Sequence, residues 1–189
     1  MHSQSAELLR ALTFAAQRHS GQRRKGGDDI PYINHPIDVA TILASGAGVD
    51  NRDVLVAAIL HDTVEDTPTT PAEIEDLFGP TVAGLVAEMT DDKSLPKMRR
   101  KELQIEHAAE LSDDAKLLKL ADKISNVRDL AANPPHGWSR QRQVEYLDWT
   151  EAVISGCRGV NETLERLYDD TLAAARDALG AVSTKDASR

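Results

Sequence analysis

The chain has 189 residues, of which 41% are hydrophobic, 28% charged and 4% aromatic, and these proportions are typical of a soluble globular protein. With 31 acidic and 22 basic residues the net charge is −9, which disfavours sequence-independent binding to nucleic acid. No apolar run approaches the ~20 residues that span a membrane, the N-terminus lacks a signal-peptide pattern, and the single cysteine, Cys157, suits a reducing compartment. We therefore expect a cytoplasmic protein with no membrane or nucleic-acid partner.

Helix signals dominate the chain, and it carries no sustained alternation of the kind that marks strands. Apolar periodicity and capping residues predict successive helices near residues 6–19, 34–46, 50–68, 71–79, 81–90, 96–111, 113–132, 140–153 and 159–179. No repeat, low-complexity block or long linker divides the chain. The expectation is an all-α, bundle-like fold of about eight to ten helices without significant sheet, in one domain over residues 1–189.

Ionisable residues end an otherwise apolar helix in the sequence DVLVAAILHDTVED. Four of them, His61, Asp62, Glu65 and Asp66, occupy six positions directly after the apolar run 53–60. Burying charge is costly unless the charge is paired or coordinated to a metal. His61 and Glu65 are four residues apart, as are Asp62 and Asp66, so a continuous helix would place each pair on one face.

Two further polar residues stand beside predicted apolar helix faces. Asp122 lies in KLADKISN, with Asn126 one turn later, and His35 directly precedes a proline at the start of a helix. Alone, His35 is better explained as a hydrogen-bonded core histidine and Asp122 as a solvated edge. Together with His61 and Asp62 they would supply two imidazoles and two carboxylates from three helices. Such a set suits a divalent ion of the manganese, iron, cobalt or magnesium type better than a thiolate-bound zinc.

The motifs HPIDVA, LHDTVEDT and KLADKISNVRDL, in this order, resemble the signatures of HD-domain metal-dependent phosphohydrolases. With RRK, PYINHP and TDDKSLPK they are more narrowly similar to the hydrolase domain of Rel/SpoT alarmone enzymes. Within that group the stand-alone small alarmone hydrolases, including the metazoan SpoT homologue, match best. The similarity covers about residues 5–155, and a C-terminal helix is expected over about 160–180.

The resemblance implies a site and a reaction. Enzymes of this kind remove pyrophosphate from the 3′ position of guanosine tetra- and pentaphosphate, giving GDP or GTP, and this chain has no room for a synthetase domain. The implied ligands of Mn²⁺ are His35, His61, Asp62 and Asp122. The residues implied at the attacking water are Glu65 and Asp66. The implied substrate-binding residues are Arg24, Lys25, Lys97, Asn126, Arg142 and Tyr146. A monomer or weak homodimer is expected.

Several alternatives stay open at this point. The same fold could act on adenosine alarmones, on the 2′-phosphate of NADPH or on another nucleotide phosphate, because an HD fold hosts many phosphoester substrates. A non-catalytic alarmone-binding domain is a hypothesis from a different class. The acidic, glycine-containing GGDD sequence at 26–29 directly follows Arg24 and Lys25. We expect it to weaken phosphate binding there or to alter which base is accepted.

Overall fold

Ten α-helices make up most of the described chain, and a computed structural model describes residues 3–26 and 29–186, with side chains as far as 180. The helices α1 to α10 span, in chain order, Gln4–Arg18, Asn34–Thr41, Arg52–Leu60, Thr63–Asp66, Pro71–Phe78, Pro80–Met89, Lys97–His107, Asp113–Ala132, Arg140–Ser155 and Glu162–Asp186. A π-helical turn, Ile42–Gly46, follows α2, and a 3₁₀ turn, Ala108–Glu110, follows α7. The described residues contain no strand, only an isolated bridge between Arg23 and Pro31. The predicted all-α bundle is confirmed.

Three of the predicted helix caps are present. The hydroxyl groups of Thr70, Ser112 and Ser139 each accept a hydrogen bond from the backbone N–H three residues later. These bonds satisfy donors that the first turn of a helix leaves without partners. Glu73 pairs with Arg18 and not with the start of its own helix, so that the expected capping box becomes a link between α5 and α1.

The third predicted helix is interrupted, and the prediction that it continues to Pro68 is wrong. α3 ends at Leu60, and only the single turn α4 follows. The Nδ1 atom of His61 lies 2.8 Å from the carbonyl oxygen of Ala58, and the Thr63 hydroxyl donates to that of Leu60 at 2.6 Å. These side chains therefore hydrogen-bond to carbonyl groups that, in a continuous helix, would accept from the backbone N–H four residues later.

α8 is the central helix of the bundle. Eleven of its 20 residues are buried, and it contacts α2, α3, α6, α9 and α10. Four of the buried residues are polar, namely Lys119, Asp122, Lys123 and Ser125. A helix that is buried on all sides is normally apolar throughout, so these polar positions mark the part of α8 that faces a site.

No helix in the part of the chain that the structure describes is both long and apolar enough to cross a membrane. The Gly27 and Asp28 positions of the acidic GGDD sequence lie outside the described residues.

Candidate metal centre and substrate cavity

Four predicted ligands converge from three parts of the fold. His35 comes from α2, His61 and Asp62 from the turn after α3, and Asp122 from α8. The Nε2 atom of His35 lies 3.1 Å from Asp122 Oδ1 and 3.7 Å from Asp62 Oδ2. The Nε2 atom of His61 lies 3.0 Å from Asp62 Oδ2 and 3.9 Å from Asp122 Oδ1. Two imidazole nitrogens and two carboxylate oxygens thus lie close together, and the ligand atoms of His35, His61 and Asp62 are all within 4.8 Å of one another.

The second nitrogen of each imidazole fixes the orientation of its ring. His35 Nδ1 lies 3.1 Å from the hydroxyl oxygen of Ser125, and His61 Nδ1 donates to the Ala58 carbonyl. The Nε2 atom of His61 is buried and has no hydrogen-bond partner, although it lies 3.0 Å from Asp62 Oδ2. In metal-ligating histidines the ring nitrogen that does not bind the metal typically makes a hydrogen bond like these Nδ1 contacts. The donor set therefore fits a divalent ion.

The protonation states of the four residues depend on one another. Burial lowers the pKa of His35, against the hydrogen bond that it makes with Asp122. Burial also opposes charge on His61, but the Asp62 and Asp122 carboxylates and the hydrogen bond to Ala58 together outweigh it and raise the pKa of His61 to about 9. The pKa of Asp62 is in turn lowered, because burial, the largest single effect, is outweighed by the interactions with His61 and His35 together. The carboxylates therefore favour a positive charge at this point, whether from a proton or a metal ion.

The two carboxylates are oriented by Asn126, which the sequence predicted in the site, and by Tyr32 and Lys123, which the sequence motifs did not single out. The Tyr32 hydroxyl donates to Asp62 Oδ2 at 2.5 Å. Lys123 donates to Asp122 Oδ2 at 2.8 Å, and Asn126 donates to Asp122 Oδ1 at 2.6 Å. Burial is the largest single effect on Asp122 and raises its pKa, but Lys123, His35 and His61 together lower that pKa well below its usual range. Tyr32 lies within the PYINHP motif, and nothing else in the sequence indicated that it belongs to the site.

Glu65 and Asp66 lie beside the centre and are held from the opposite side. The backbone N–H of Asp91 donates to Glu65 Oε2 at 3.0 Å, and Arg100 Nη1 lies 3.6 Å from Glu65 Oε1. Lys93 pairs with Asp66. Burial raises the pKa of Glu65 above its ordinary value, against the hydrogen bond from Asp91. A raised pKa brings a carboxylate closer to the range useful for proton transfer near neutral pH.

Arg24 connects the loop after α1 to the centre. Its Nε donates to Asp129 Oδ2 at 2.8 Å, and its Nη2 donates to Asn126 Oδ1 at 2.9 Å. The guanidinium also lies 5.8 Å from the ring centroid of Tyr32. Because Asn126 also contacts Asp122, a continuous set of hydrogen bonds runs from this loop to the candidate metal centre.

A cavity of about 1,080 Å³ joins these groups, and its lining includes all twelve predicted site residues. Nine of the chain's 22 lysine and arginine residues also line it. An acidic protein thus concentrates positive charge in one cleft, which favours an anionic ligand.

Aromatic residues form the wall of the cavity that α9 contributes. The Tyr146 ring packs between Trp138 and Trp149, at centroid distances of 5.6 and 5.4 Å. Lys101 lies 4.5 Å from the centroid of Trp149, and Arg142 lies 4.4 Å from that of Trp138. The sequence predicted Tyr146 and Arg142 here but missed Lys101 and Trp149, which reach the cavity only through the packing of α7 against α9.

Known proteins share this fold and sequence. The HD domain family model matches residues 11–148. The guanosine-3′,5′-bis(diphosphate) 3′-pyrophosphohydrolase MESH1 of Xenopus tropicalis is 54% identical over 169 residues, covering 89% of this chain and 94% of that protein. The human MESH1 is 54% identical over 165 residues, covering 87% and 92%. A solved structure, described as a metazoan orthologue of SpoT that hydrolyses ppGpp, has 48% identity and a TM-score of 0.88, and covers 92% of this chain and 97% of that one.

These similarities confirm the resemblance that the motifs suggested. An HD domain hydrolase implies a divalent metal, in agreement with ligand atoms of His35, His61 and Asp62 that lie within 4.8 Å of one another. The chain belongs to the HD domain family and, within it, to the group that contains the MESH1 proteins.

Proposed function

We propose that this chain is a metal-dependent hydrolase that removes the 3′-pyrophosphate from guanosine tetra- and pentaphosphate, giving GDP or GTP. The observation that carries the proposal is the convergence of two imidazoles and two carboxylates at one side of a cation-rich cavity. Relatives more than 50% identical are named for this activity. A single HD domain over residues 1–189 is part of the proposal.

His35, His61, Asp62 and Asp122 would hold the ion, which we infer to be Mn²⁺. A bound divalent ion lowers the pKa of a coordinated water and polarises a phosphoryl oxygen. The mixed nitrogen and oxygen donor set is the support for manganese over a thiolate-selecting metal.

Glu65 is the proposed proton acceptor for the attacking water. Its carboxylate is half-buried, and burial raises its pKa, so it accepts a proton more readily than an exposed glutamate does at neutral pH. The hydrogen bond from the Asp91 backbone fixes one carboxylate oxygen, and the other lies 3.6 Å from Arg100 Nη1. Asp66 is the proposed partner that orients the water, because the Tyr32 hydroxyl lies 3.4 Å from its Oδ2 and also contacts Asp62.

Basic and aromatic residues would bind the nucleotide. Arg24 and Lys25 are proposed to contact the base and sugar, and Asn126 lies between Arg24 and the metal centre. Lys97, Arg142 and Tyr146 are proposed to surround phosphate and ribose. Arginine suits this role because its planar guanidinium both stacks on rings and bonds phosphate oxygens in pairs.

The test is a substrate panel with the purified, Mn²⁺-loaded chain. We expect ppGpp and pppGpp to release pyrophosphate in one step, and an Asp62→Ala variant to be inactive. The panel includes ppApp and NADPH, and it records whether pyrophosphate or orthophosphate appears. A wild-type chain that is inactive on ppGpp with Mn²⁺ would refute the proposal, and faster orthophosphate release from NADPH would replace it with a phosphatase function.

A further inference from the structure

The cavity-facing residues of α8 follow one another along the helix axis. Lys119, Asp122 and Asn126 recur at intervals of three and four residues, so each is about one 5.4 Å turn from the next. Asn126 contacts Arg24, which places the proposed nucleoside end of the cavity towards the C-terminal end of α8. Asp122 belongs to the candidate metal centre. Lys119 therefore lies on the far side of that centre from the nucleoside.

Lys119 is a buried cation without a direct partner. Its side chain lines the cavity, yet the residue is only 5% exposed. Among the described residues it forms no direct hydrogen bond and no ion pair, and the charges acting on it include the neighbouring Lys123 and, of opposite sign, Asp122 and Asp91. An ammonium group that has left water without a partner is unfavourable. A site that maintains one is suited to an anion that arrives from outside.

Arg100 offers a second unfilled donor on the opposite wall, in α7. Its Nε is buried and has no hydrogen-bond partner, while its Nη1 lies 3.6 Å from Glu65 and 3.7 Å from Asp91. The Asp91 carboxylate also accepts two hydrogen bonds from Gln104, at 3.0 and 2.8 Å. Asp91 is thus the shared neighbour of Arg100 and Lys119, and its charge is already partly compensated.

We propose that Lys119 and Arg100 form a subsite for the terminal phosphate of the 3′-pyrophosphate, the phosphate beyond the one that is attacked. This inference rests on the proposed function and adds the residues that recognise the leaving group. It explains why the cavity continues past the metal centre with unpaired donors. A substrate that carries only a 3′-monophosphate leaves this subsite empty.

The direct test compares Lys119→Met with the matched control Lys116→Met, which lies one turn away on α8 and outside the cavity lining. We measure kcat/KM for ppGpp and for guanosine 5′-diphosphate 3′-monophosphate. Losing a hydrogen bond to a charged group should lower the value for ppGpp roughly 10- to 100-fold, with a much smaller change for the monophosphate. The control should match the wild type on both substrates. Equal losses on both substrates, or no loss on ppGpp, would overturn the subsite.

A second measurement uses inorganic pyrophosphate and orthophosphate as probes of the metal-loaded protein. Pyrophosphate should raise the Tm of the wild type more than orthophosphate does, and Lys119→Met should lose that difference. Without ligand the variant should have at least the wild-type Tm, because methionine replaces an unpaired buried charge; a lower Tm would instead assign Lys119 a structural role and overturn the subsite. If the wild type hydrolyses neither nucleotide, the proposed function fails, and the pyrophosphate-specific shift still decides for or against the subsite.

Discussion

At the scale of single residues, Glu65 is the side chain whose surroundings best suit proton transfer. Glu65→Gln keeps the shape of the side chain and an oxygen for the Asp91 N–H, but it removes the proton acceptor. We expect kcat to fall by about 10²- to 10⁴-fold, with Mn²⁺ affinity and Tm close to the wild-type values. Glu75→Gln, at an exposed position of α5, is the matched control. An unchanged kcat in Glu65→Gln would exclude Glu65 as the base.

Ser125 contacts His35, one of the proposed metal ligands. Its hydroxyl oxygen lies 3.1 Å from His35 Nδ1, and loss of such an outer contact typically weakens metal affinity by about 10- to 100-fold. We therefore expect Ser125→Ala to bind Mn²⁺ more weakly by that factor in calorimetric titration, with the fold intact by circular dichroism. Ser155→Ala, on the exposed side of α9, should leave Mn²⁺ affinity unchanged. Equal affinities in the two variants would show that the Ser125 contact is incidental.

The His61 proton predicts how metal binding depends on pH. In the metal-free protein the pKa of His61 is raised to about 9, so His61 is protonated at pH 7 and must release that proton when its Nε2 binds a metal. Calorimetry at pH 7 in buffers of different ionisation enthalpy should detect about one proton released. Apparent affinity should fall as the pH drops below about 9. Binding without proton release would contradict the assignment of His61 as a ligand.

The same proton affects the stability of the metal-free protein. Because the folded-state pKa of His61 lies above its ordinary value of 6.5, the stabilisation is complete below pH 6.5 and is lost as the pH rises through about 9. Thermal melting of the metal-free chain should therefore show a declining Tm across this range. A bound metal displaces the proton, so the decline should be absent from the Mn²⁺-saturated protein.

At the scale of elements, α10 packs against α8, and none of its described side chains lines the cavity. Leu164 in its first turns is fully buried, whereas Leu167, three residues later, is only partly buried. Leu164→Ala should lower the free energy of unfolding by about 2–5 kcal/mol, measured by urea denaturation, and Leu167→Ala should cost clearly less. Mn²⁺ affinity should be unaffected in both folded variants. A larger loss in Leu167→Ala would mean that α10 packs on α8 through a different face.

Local sequence patterns predicted the helices well where the determinants are local. Thr70, Ser112 and Ser139 cap helices through contacts within three residues, and such contacts are legible in a sequence. The sequence did not predict the break after α3, although its determinants are also local. It depends on the side chains of His61 and Thr63 competing for backbone carbonyl groups, and an apolar run followed by polar residues does not reveal that competition.

At the scale of the whole molecule, the cavity lining contains residues that the sequence predicted and others that only tertiary packing brings there. Ten of the twelve predicted residues come from motifs with a recognisable order, Arg142 and Tyr146 were implied by the family resemblance alone, and all twelve line one cavity. Tyr32, Lys101 and Trp149 join the site because the segment before α2, helix α7 and helix α9 all line the same cavity. No spacing within one helix predicts such an arrangement, since it is set by tertiary contacts between distant segments.

The charge of the molecule also has to be considered as a whole. A net charge of −9 argues against polyanion binding, yet nine basic residues line the cavity. The two facts agree if the ligand is small and enters the cleft, where local charge and not net charge sets the potential.

The most direct test of the account follows solvent oxygen during hydrolysis of ppGpp in ¹⁸O-labelled water by the Mn²⁺-loaded protein. Attack of water on the phosphorus next to the 3′ oxygen breaks the bond between them. It should place one ¹⁸O in the released pyrophosphate and none in GDP, as read by mass spectrometry. Orthophosphate as the first product, or ¹⁸O in the 3′-hydroxyl of the nucleoside, would contradict the central claim that this centre is a 3′-pyrophosphohydrolase.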